Sequence, residues 1–569
     1  MTPSTRTSPH EPPLQFTPKL ISQLREGYGL TDLRADVMAG LTVAIVALPL
    51  SMAIAIASGV GPERGLYTAI VGGFLVSALG GSRFQIGGPA GAFIVLVAAC
   101  VADIGVEGLL LATLLSGGLL ALIGLLRLGT YIRFIPYPVT VGFTAGIGVI
   151  IFSSQIKDLL GLSLTGREPS DMLSKLPVLW DARATISLAA CAIAAGTIAT
   201  ILGLRRINPA IPGMLIAVVV ASGLAAVLNL PVETIHSRFG DLPRVLPWPA
   251  LPTLSAATIG AALPYAASFA LLGAIESLLS AVVADGMSGR RHRPNIELLA
   301  QGAANVASAL FGGFCVTGTI ARTATNVRAG SHGPVSGMLH SVFVLLFMLL
   351  AAPLAGYIPL AALGGVLAVV SLNMIEWHAL RALVRTSRGD AVVLVTTFLL
   401  VVFRDLTDGI VVGFALAGLL FIKRMSDRAQ VERPASALAG FDPMTPQGLG
   451  SGRDHVAVYH IRGVLFFGAV ASLSAEIDAS ADAARHLVVD LSDVPFIDST
   501  AANAIGNLAA KVARLGGQLY LTGVGPDLRR NLSEAAVAEP SVRFRARVGQ
   551  AVDEALATTA PDAQAAVAH

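Results

Sequence analysis

Apolar segments follow one another almost without pause from Val37 to Ile422, and polar stretches return only before and after that region. Breaks at charged residues, glycines and prolines divide it into blocks, many of them near the ~20 residues a membrane-spanning helix needs. This pattern predicts spans at Val37–Val60, Leu66–Leu79, Pro89–Ala102, Gly108–Leu126, Phe134–Leu160, Thr185–Leu204 and Ile211–Leu228. It predicts further spans at Gly260–Ala284, Ile296–Phe311, Thr319–Ala329, Val335–Ala352, Leu360–Ile375, Asp390–Phe403 and Gly409–Ile422. That makes fourteen, of which Pro89–Ala102, Ile296–Phe311 and Thr319–Ala329 are too short to cross alone. Composition agrees: 54% of the 569 residues are hydrophobic and 13% charged, with a mean hydropathy of +0.72, as in a polytopic α-helical membrane protein.

The connecting charges orient these spans. Connections after even-numbered spans carry Arg83, then Arg127 and Arg133, Arg205 and Arg206, and Arg290 to Arg293. Later ones carry Arg328, then Arg381, Arg385 and Arg388, and then Lys423 and Arg424, whereas odd-numbered connections are acidic, mixed or uncharged. Basic connections prefer the cytoplasm, so both termini are expected there, in a multi-pass protein of the inner membrane. The net charge of +3 adds nothing to this. Cys100, Cys191 and Cys315 stand at no ligand spacing, so neither a metal site nor a disulfide framework is expected. No cofactor motif and no paired catalytic groups are present, and the basic runs lack the aromatic interleaving of a nucleic-acid surface. An enzyme is not expected.

Two short segments carry the candidate chemistry. Val316–Asn326 holds Gly318, Thr319, Ile320, Ala321 and Arg322, an arginine among hydroxyl groups inside an apolar region. With Gly330 to Pro334 close behind, it suits a half-helix whose N-terminal N–H groups open into a buried cavity, and Arg322 adds a full positive charge. Such a pair makes an anion site. Phe84–Ala92 opens the third span as Val316–Asn326 opens the tenth, and seven is odd, so a repeat of that length must be inverted across the membrane. Its glycines, Gly88 and Gly91 among them, let backbone approach a ligand. Glu276 is the acidic residue deep in the eighth span, with Ser280 one turn on. A carboxyl at that depth is costly unless it is paired, wetted or protonated; it is either locked to Arg322 or free to couple transport to protons or sodium.

Asp36–Ala44, Ala47–Ala53, Gly65–Tyr67, Gly87–Pro89, Asn295–Gly302 and Thr319–Asn326 resemble the sulfate permease (SulP) family of anion transporters, and the resemblance runs from about Asp32 to Val552. It implies two inverted seven-helix repeats, split into a core and a gate domain, with the core moving past the gate like an elevator. It implies an anion held between the N-termini of the third and tenth spans, by backbone at Gly88, Ala90, Gly91, Thr319, Ile320 and Ala321 and by the charge of Arg322. Glu276, Ser280 and Gly318 fall where relatives couple ions. Glu276 stands where sodium-coupled bicarbonate members carry Asp, and Ile320 where they carry threonine; Ala90 replaces a threonine common among relatives. These departures point away from bicarbonate and sodium, toward proton symport of sulfate, a C4-dicarboxylate or a similar anion. The alternatives are a sodium-coupled bicarbonate symporter, an uncoupled channel-like conductor, and an anion sensor signalling through its C-terminal domain. A nucleobase permease fits less well with Arg322.

Beyond Lys423 the composition changes. The boundaries expected are a cytoplasmic segment 1–34, a transport domain 35–424, a linker 425–453, an α/β domain 454–558 and a disordered tail 559–569. Strands are predicted at Val456–Ile461, Leu487–Leu491, Gln518–Thr522 and Val542–Ala546, and helices at Ala469–Ala479, Ala501–Leu515, Leu528–Ala535 and Gly549–Thr558. Leu487–Ser492 and Val494–Ala501 resemble the STAS domain that ends most family members. That implies a homodimer, a cytoplasmic protein partner, and Ser499 as candidate phosphoacceptor; Asp498, Ser499 and Thr500 also suit a helix cap.

Overall fold

The computed structural model describes residues 16–132, 134–164, 166, 168–169, 172–208, 211–427, 430–432, 456–468, 470 and 485–566. The first fifteen residues of the expected N-terminal segment, most of the expected linker and all but one residue of the predicted helix Ala469–Ala479 lie outside them. Two compact units divide the chain, residues 1–415 and 416–569.

The first unit is helical. Helices α1 (Lys19–Glu26), α2 (Leu30–Ala57), α3 (Pro62–Tyr67) and α4 (Gly73–Leu79) lead to a two-residue strand, β1 (Gly87–Gly88). A 3₁₀ turn at Gly91–Phe93 then starts α5 (Ile94–Leu125). Within α5, Gly105 adopts φ 72° and ψ −176°, a backbone that glycine alone adopts freely, and this break separates the third and fourth expected spans. Next come α6 (Gly129–Ile132), α7 (Tyr137–Leu160), α8 (Met172–Asp181), α9 (Leu188–Ile207), α10 (Gly213–Val227) and α11 (Ile235–Phe239). The second half repeats the plan: α12 (Ala256–Ser288), α13 (Pro294–Leu310), strand β2 (Thr317–Gly318), α14 (Ile320–Arg328) and α15 (Pro334–Ala355). It closes with α16 (Leu360–Met374), α17 (Trp377–Thr386) and α18 (Arg388–Phe403), and α19 (Leu406–Ser426) runs from the first unit into the second.

Each of the fourteen expected segments carries helix, and among the described residues eight helical runs are long and apolar enough to cross a membrane by themselves. The helices pack in two groups. In one, α12 and α13 lie on α5, and α15 lies on α2 and α4; in the other, α16 and α18 lie on α7, and α9 contacts α10 and α16. Small residues make the first group tight. A Cβ on Gly117 of α5 would stand 2.7 Å from the Gly302 carbonyl of α13, and one on Gly302 would stand 2.6 Å from the Gly117 carbonyl. Where lipid removes the hydrophobic drive, such backbone contact supplies the attraction between helices.

The second unit is an α/β domain built on a five-stranded sheet in the order β3 (Gln430–Glu432), β4 (Val456–Arg462), β5 (His486–Asp493), β6 (Leu519–Thr522), β7 (Val542–Arg545). Strands β4 to β7 are parallel, and β3 is antiparallel to β4. The expected linker thus contributes an edge strand; three residues are too few for a period to show. Helices α20 (Ser499–Arg514) and α21 (Pro526–Glu534) cover one face, where Ile505, Ala509 and Leu532 meet Val489 and Leu521. Helix α22 (Val548–Ala566) covers the other, placing Ala551 and Ala555 against Val488 and Tyr520 and running on into the stretch expected as a tail.

Candidate functional site

The two short arms meet. β1 and β2 pair antiparallel, Gly87 opposite Gly318 and Gly88 opposite Thr317, so the segments that open α5 and α14 cross at one point. Beyond the crossing each chain turns into helix. The backbone of Ala90 is extended before the turn Gly91–Phe93, and Thr319 is extended before Ile320. The first-turn N–H groups at Gly91 and Ala92, and at Ile320, Ala321 and Arg322, have no acceptor within their own helices. Neither helix start has a side-chain cap. Ile151 of α7 and Met374 of α16, from the second packing group, stand over Gly91.

Arg322 reaches back across the crossing. Its Nη2 donates to the Pro89 carbonyl at 3.1 Å, whereas Nε and Nη1, in a residue 1% exposed, have no protein partner. Gly88 makes room for it, because a Cβ there would lie 2.4 Å from Nη1. A guanidinium with two buried nitrogens free of protein acceptors is open to an acceptor from outside the protein, and its charge favours an anionic one. The arrangement can therefore hold a small anion between backbone N–H groups and a planar cationic fork.

The crossing is held from three sides. Thr319 N donates to the Ile86 carbonyl (2.9 Å), Ile86 N donates to Thr323 Oγ1 (3.1 Å), and Asn326 Nδ2 donates to the Phe84 carbonyl (2.9 Å). From α12, Ser280 Oγ donates to Thr323 Oγ1 at 3.0 Å, and Thr317 Oγ1 donates to the Gly273 carbonyl at 3.2 Å. From α13, Asn305 both donates to the Val316 carbonyl and accepts from Val316 N. Glu276, on α12 between Gly273 and Ser280, leaves Oε2 buried without a partner; it lies within electrostatic reach of Arg322 but makes no ion pair with it.

Sequence reasoning missed several of these groups. Thr323, Asn326 and Asn305 bind the arms through backbone, which leaves no partner residue to find. Glu297 is buried and accepts from Gly81 N (2.7 Å) and Ser82 N (3.0 Å) before the first arm. Asp36 does the same for His332 N (2.6 Å) and Gly333 N (3.1 Å) after the second. Glu297, Gln301 and Asn305 recur at intervals of four, a polar stripe in an apolar helix that was there to be read.

Ser499 belongs to the other unit. It is exposed at the first turn of α20, whose cap is Asp498: Oδ1 accepts from Ala501 N at 2.8 Å, and Oδ2 from Phe467 N at 3.0 Å. Nearby, at the C-terminal ends of the parallel strands, His460 Nδ1 lies 2.7 Å from Asp490 Oδ2, and Nε2 lies 3.0 Å from Asp493 Oδ2. Ser492 and Thr522 hydroxyls donate to Asp490 Oδ1. Burial would lower the His460 pKa, but the two carboxylates outweigh it and hold it above its ordinary value.

Residues 33–397 match the Sulfate permease family and residues 451–554 the STAS domain. The sulfate transporter YvdB of Bacillus subtilis, so named, is 39% identical over 88% of this chain and 93% of its own. The bicarbonate transporter BicA of Picosynechococcus is 31% identical over 88% of this chain and 91% of its own. Among solved structures, SLC26A9 superposes with a TM-score of 0.83 at 18% identity, covering 96% of this chain and 93% of that one, a likeness of fold. The transmembrane domain of a cyanobacterial BicA superposes with a TM-score of 0.60 at 29% identity, covering 68% of this chain and 98% of that one.

Proposed function

The chain belongs to the sulfate permease family of membrane anion transporters and ends in a STAS domain, and from that premise we propose that it is a proton-coupled symporter of small anions. The observation that carries the anion site is Arg322: buried, joined by one donor to the opposite arm, and left with two donors for a ligand. Sulfate is the first candidate, supported by the relatives' names, and each carboxylate of a C4-dicarboxylate likewise offers a pair of oxygens to the guanidinium fork. The substrate contacts come from backbone at Gly88, Ala90, Gly91, Thr319, Ile320 and Ala321, and from the Arg322 guanidinium.

Coupling falls to Glu276, with Ser280 and Gly318 holding its neighbourhood. A carboxylate there repels an incoming anion, and protonation removes the repulsion. Anion binding and proton uptake then favour each other reciprocally. The first packing group carries both arms and moves as a body against the second, past Ile151 and Met374, which is an elevator. Both termini face the cytoplasm, and the protein works as a homodimer with a cytoplasmic partner at STAS, where Ser499 is exposed for phosphorylation. Sodium-coupled bicarbonate transport is the second reading, favoured by the resemblance to BicA.

Counterflow in proteoliposomes, with sulfate, succinate, bicarbonate and chloride at two pH values, tests the proposal. Uptake of sulfate or succinate that is faster at acid pH and indifferent to sodium is expected; a sodium requirement with bicarbonate selects the second reading. Glu276→Gln keeps the neutral form, so it should exchange anion but lose accumulation driven by a pH gradient. A variant that still concentrates substrate and acidifies the lumen like the parent removes Glu276 from coupling.

A further inference from the structure

A short surface helix ordinarily turns its apolar side to the protein and its polar side to water. Helix α1 does the reverse. Gln23 is 1% exposed and lies against Gly333, and Ser22 Oγ accepts from Arg293 Nη1 at 2.9 Å. Lys19 N donates to the Gly80 carbonyl at 2.9 Å, and Arg83 Nη2 donates to Glu26 Oε2 at 2.6 Å. Backbone and polar side chains of α1 thus lie against three loops, the one before the first arm, the one before α13 and, through Gln23 without a hydrogen bond, the one after α14. Ile21 and Leu24 point away from the protein, and Leu24 is 56% exposed.

Two further observations say what covers them. Three residues beyond α1 begins α2, a helix long and apolar enough to cross a membrane, where Leu30 is 85% exposed and Leu33, Met38 and Leu41 are exposed after it. Cations also gather there. Arg25 is exposed, Arg127 lies over the ring of Phe16 with 5.7 Å to its centroid, and Lys19 lies within electrostatic reach of Arg293 and Arg83. The nearby carboxylates are engaged: Glu26 with Arg83, and Asp285 with His292 at 2.7 Å. Burial first, and then Arg293 and Arg83, hold the Lys19 ammonium below its ordinary pKa, while Asp285 and Glu26 raise it.

We propose that α1 is an interfacial helix that seats Ile21 and Leu24 in a bilayer of anionic phospholipid, with Lys19 and Arg25 on the headgroup phosphates. The same helix clamps the loops that lead into β1, α13 and α15. Anionic lipid therefore stabilises the body that carries the anion site, without touching the site itself.

The full-length protein tests this in vesicles of phosphatidylcholine and phosphatidylglycerol. An environment-sensitive label on Leu24→Cys, in a background with the three native cysteines replaced, should be quenched by shallow nitroxide lipids and shielded from iodide. In detergent, phosphatidylglycerol should raise the thermal midpoint by several degrees, whereas phosphatidylcholine and inorganic phosphate should not. Lys19→Gln with Arg25→Gln should remove that shift. Iodide quenching without nitroxide quenching overturns the proposal, because α1 then faces water or protein. Equal shifts with both lipids overturn the headgroup assignment, and a shift with inorganic phosphate assigns these cations to a soluble anion instead. Should the charge variant fail to fold, the label on the native charges still decides.

Discussion

Arg322 and His460 are both basic side chains removed from bulk water, and their surroundings are built on opposite terms. His460 has a carboxylate at each ring nitrogen, and one of those carboxylates is further satisfied by two hydroxyls. Arg322 has one carbonyl and two idle donors, and Glu276 on the neighbouring helix has an idle oxygen. A protein that saturates one cluster could have saturated the other. Unmet hydrogen-bonding capacity in a buried place is costly, and at Arg322 it lies where two half-helix ends also leave N–H groups open. The His460 cluster joins β4 to β5, whereas the open donors of Arg322 lie beside two helix starts whose N–H groups are also open.

Removing the under-satisfied group should have the largest effect. Charge-assisted hydrogen bonds are worth about 1.5–3 kcal/mol, so Arg322→Ala should weaken anion binding roughly 10- to 100-fold. Arg322→Lys should restore part of this, since lysine keeps the charge and loses the planar fork. Equilibrium binding of radiolabelled sulfate measures both, and unchanged affinity in the two variants would erase the contrast with His460.

A smaller change sharpens the geometry. Gly88→Ala puts a methyl group where Nη1 now lies, and the flexible end of the arginine must move. Affinity should fall several-fold in the parent and by less in the Arg322→Ala background, where only the strain of an alanine at φ 157° remains, which is the signature of a coupled pair. Equal losses in both backgrounds would mean that the alanine disturbs the backbone arm instead.

The satisfied cluster should answer to pH, and least. The His460 pKa is raised on folding, so its stabilisation is complete below the unfolded value of about 6.5 and disappears as pH rises through the folded one. Burial would raise the Asp490 pKa, but the hydroxyls of Ser492 and Thr522 and the His460 ring outweigh it. Its contribution is therefore present above about pH 3.9 and disappears as pH falls through the depressed value. His460→Gln should cost about 1 kcal/mol at pH 6, a figure already reduced for the exposure of Asp493, and nothing at pH 9. Hydrogen exchange in β4 and β5, compared with the parent at each pH, reads this out. A cost that persists at pH 9 would show that shape, not charge, binds the two strands.

The contrast also explains which parts were legible in the sequence. Spans and parallel strands repeat their apolar positions over many residues, so each expected segment from Val37 to Ile422 carries helix, and β4 to β7 fall on the predicted stretches. Arg322 and Glu276 stood out because charge is rare in that setting. Their partners did not. A ladder of two residues has no period, and the acceptors and donors that fix Thr323, Asn326, Glu297 and Asp36 are mostly backbone groups, identical in every residue. The reversed face of α1 was hidden for another reason: eight residues show an apolar side, but not which way it points.

The pairing of Gly88 with Thr317 also sets a timetable for synthesis. The two residues are 229 apart (317 minus 88), and a ribosome adding roughly 5–20 residues per second needs roughly 10 to 50 s to make that stretch. For that interval the first arm sits in or beside the membrane with its strand edge open and no arginine to meet. The nascent first half must therefore be sheltered, by the insertion machinery or by its own α2 and α5, until the second half arrives. A stall between Gly88 and Thr317 would leave the first arm without its partner strand.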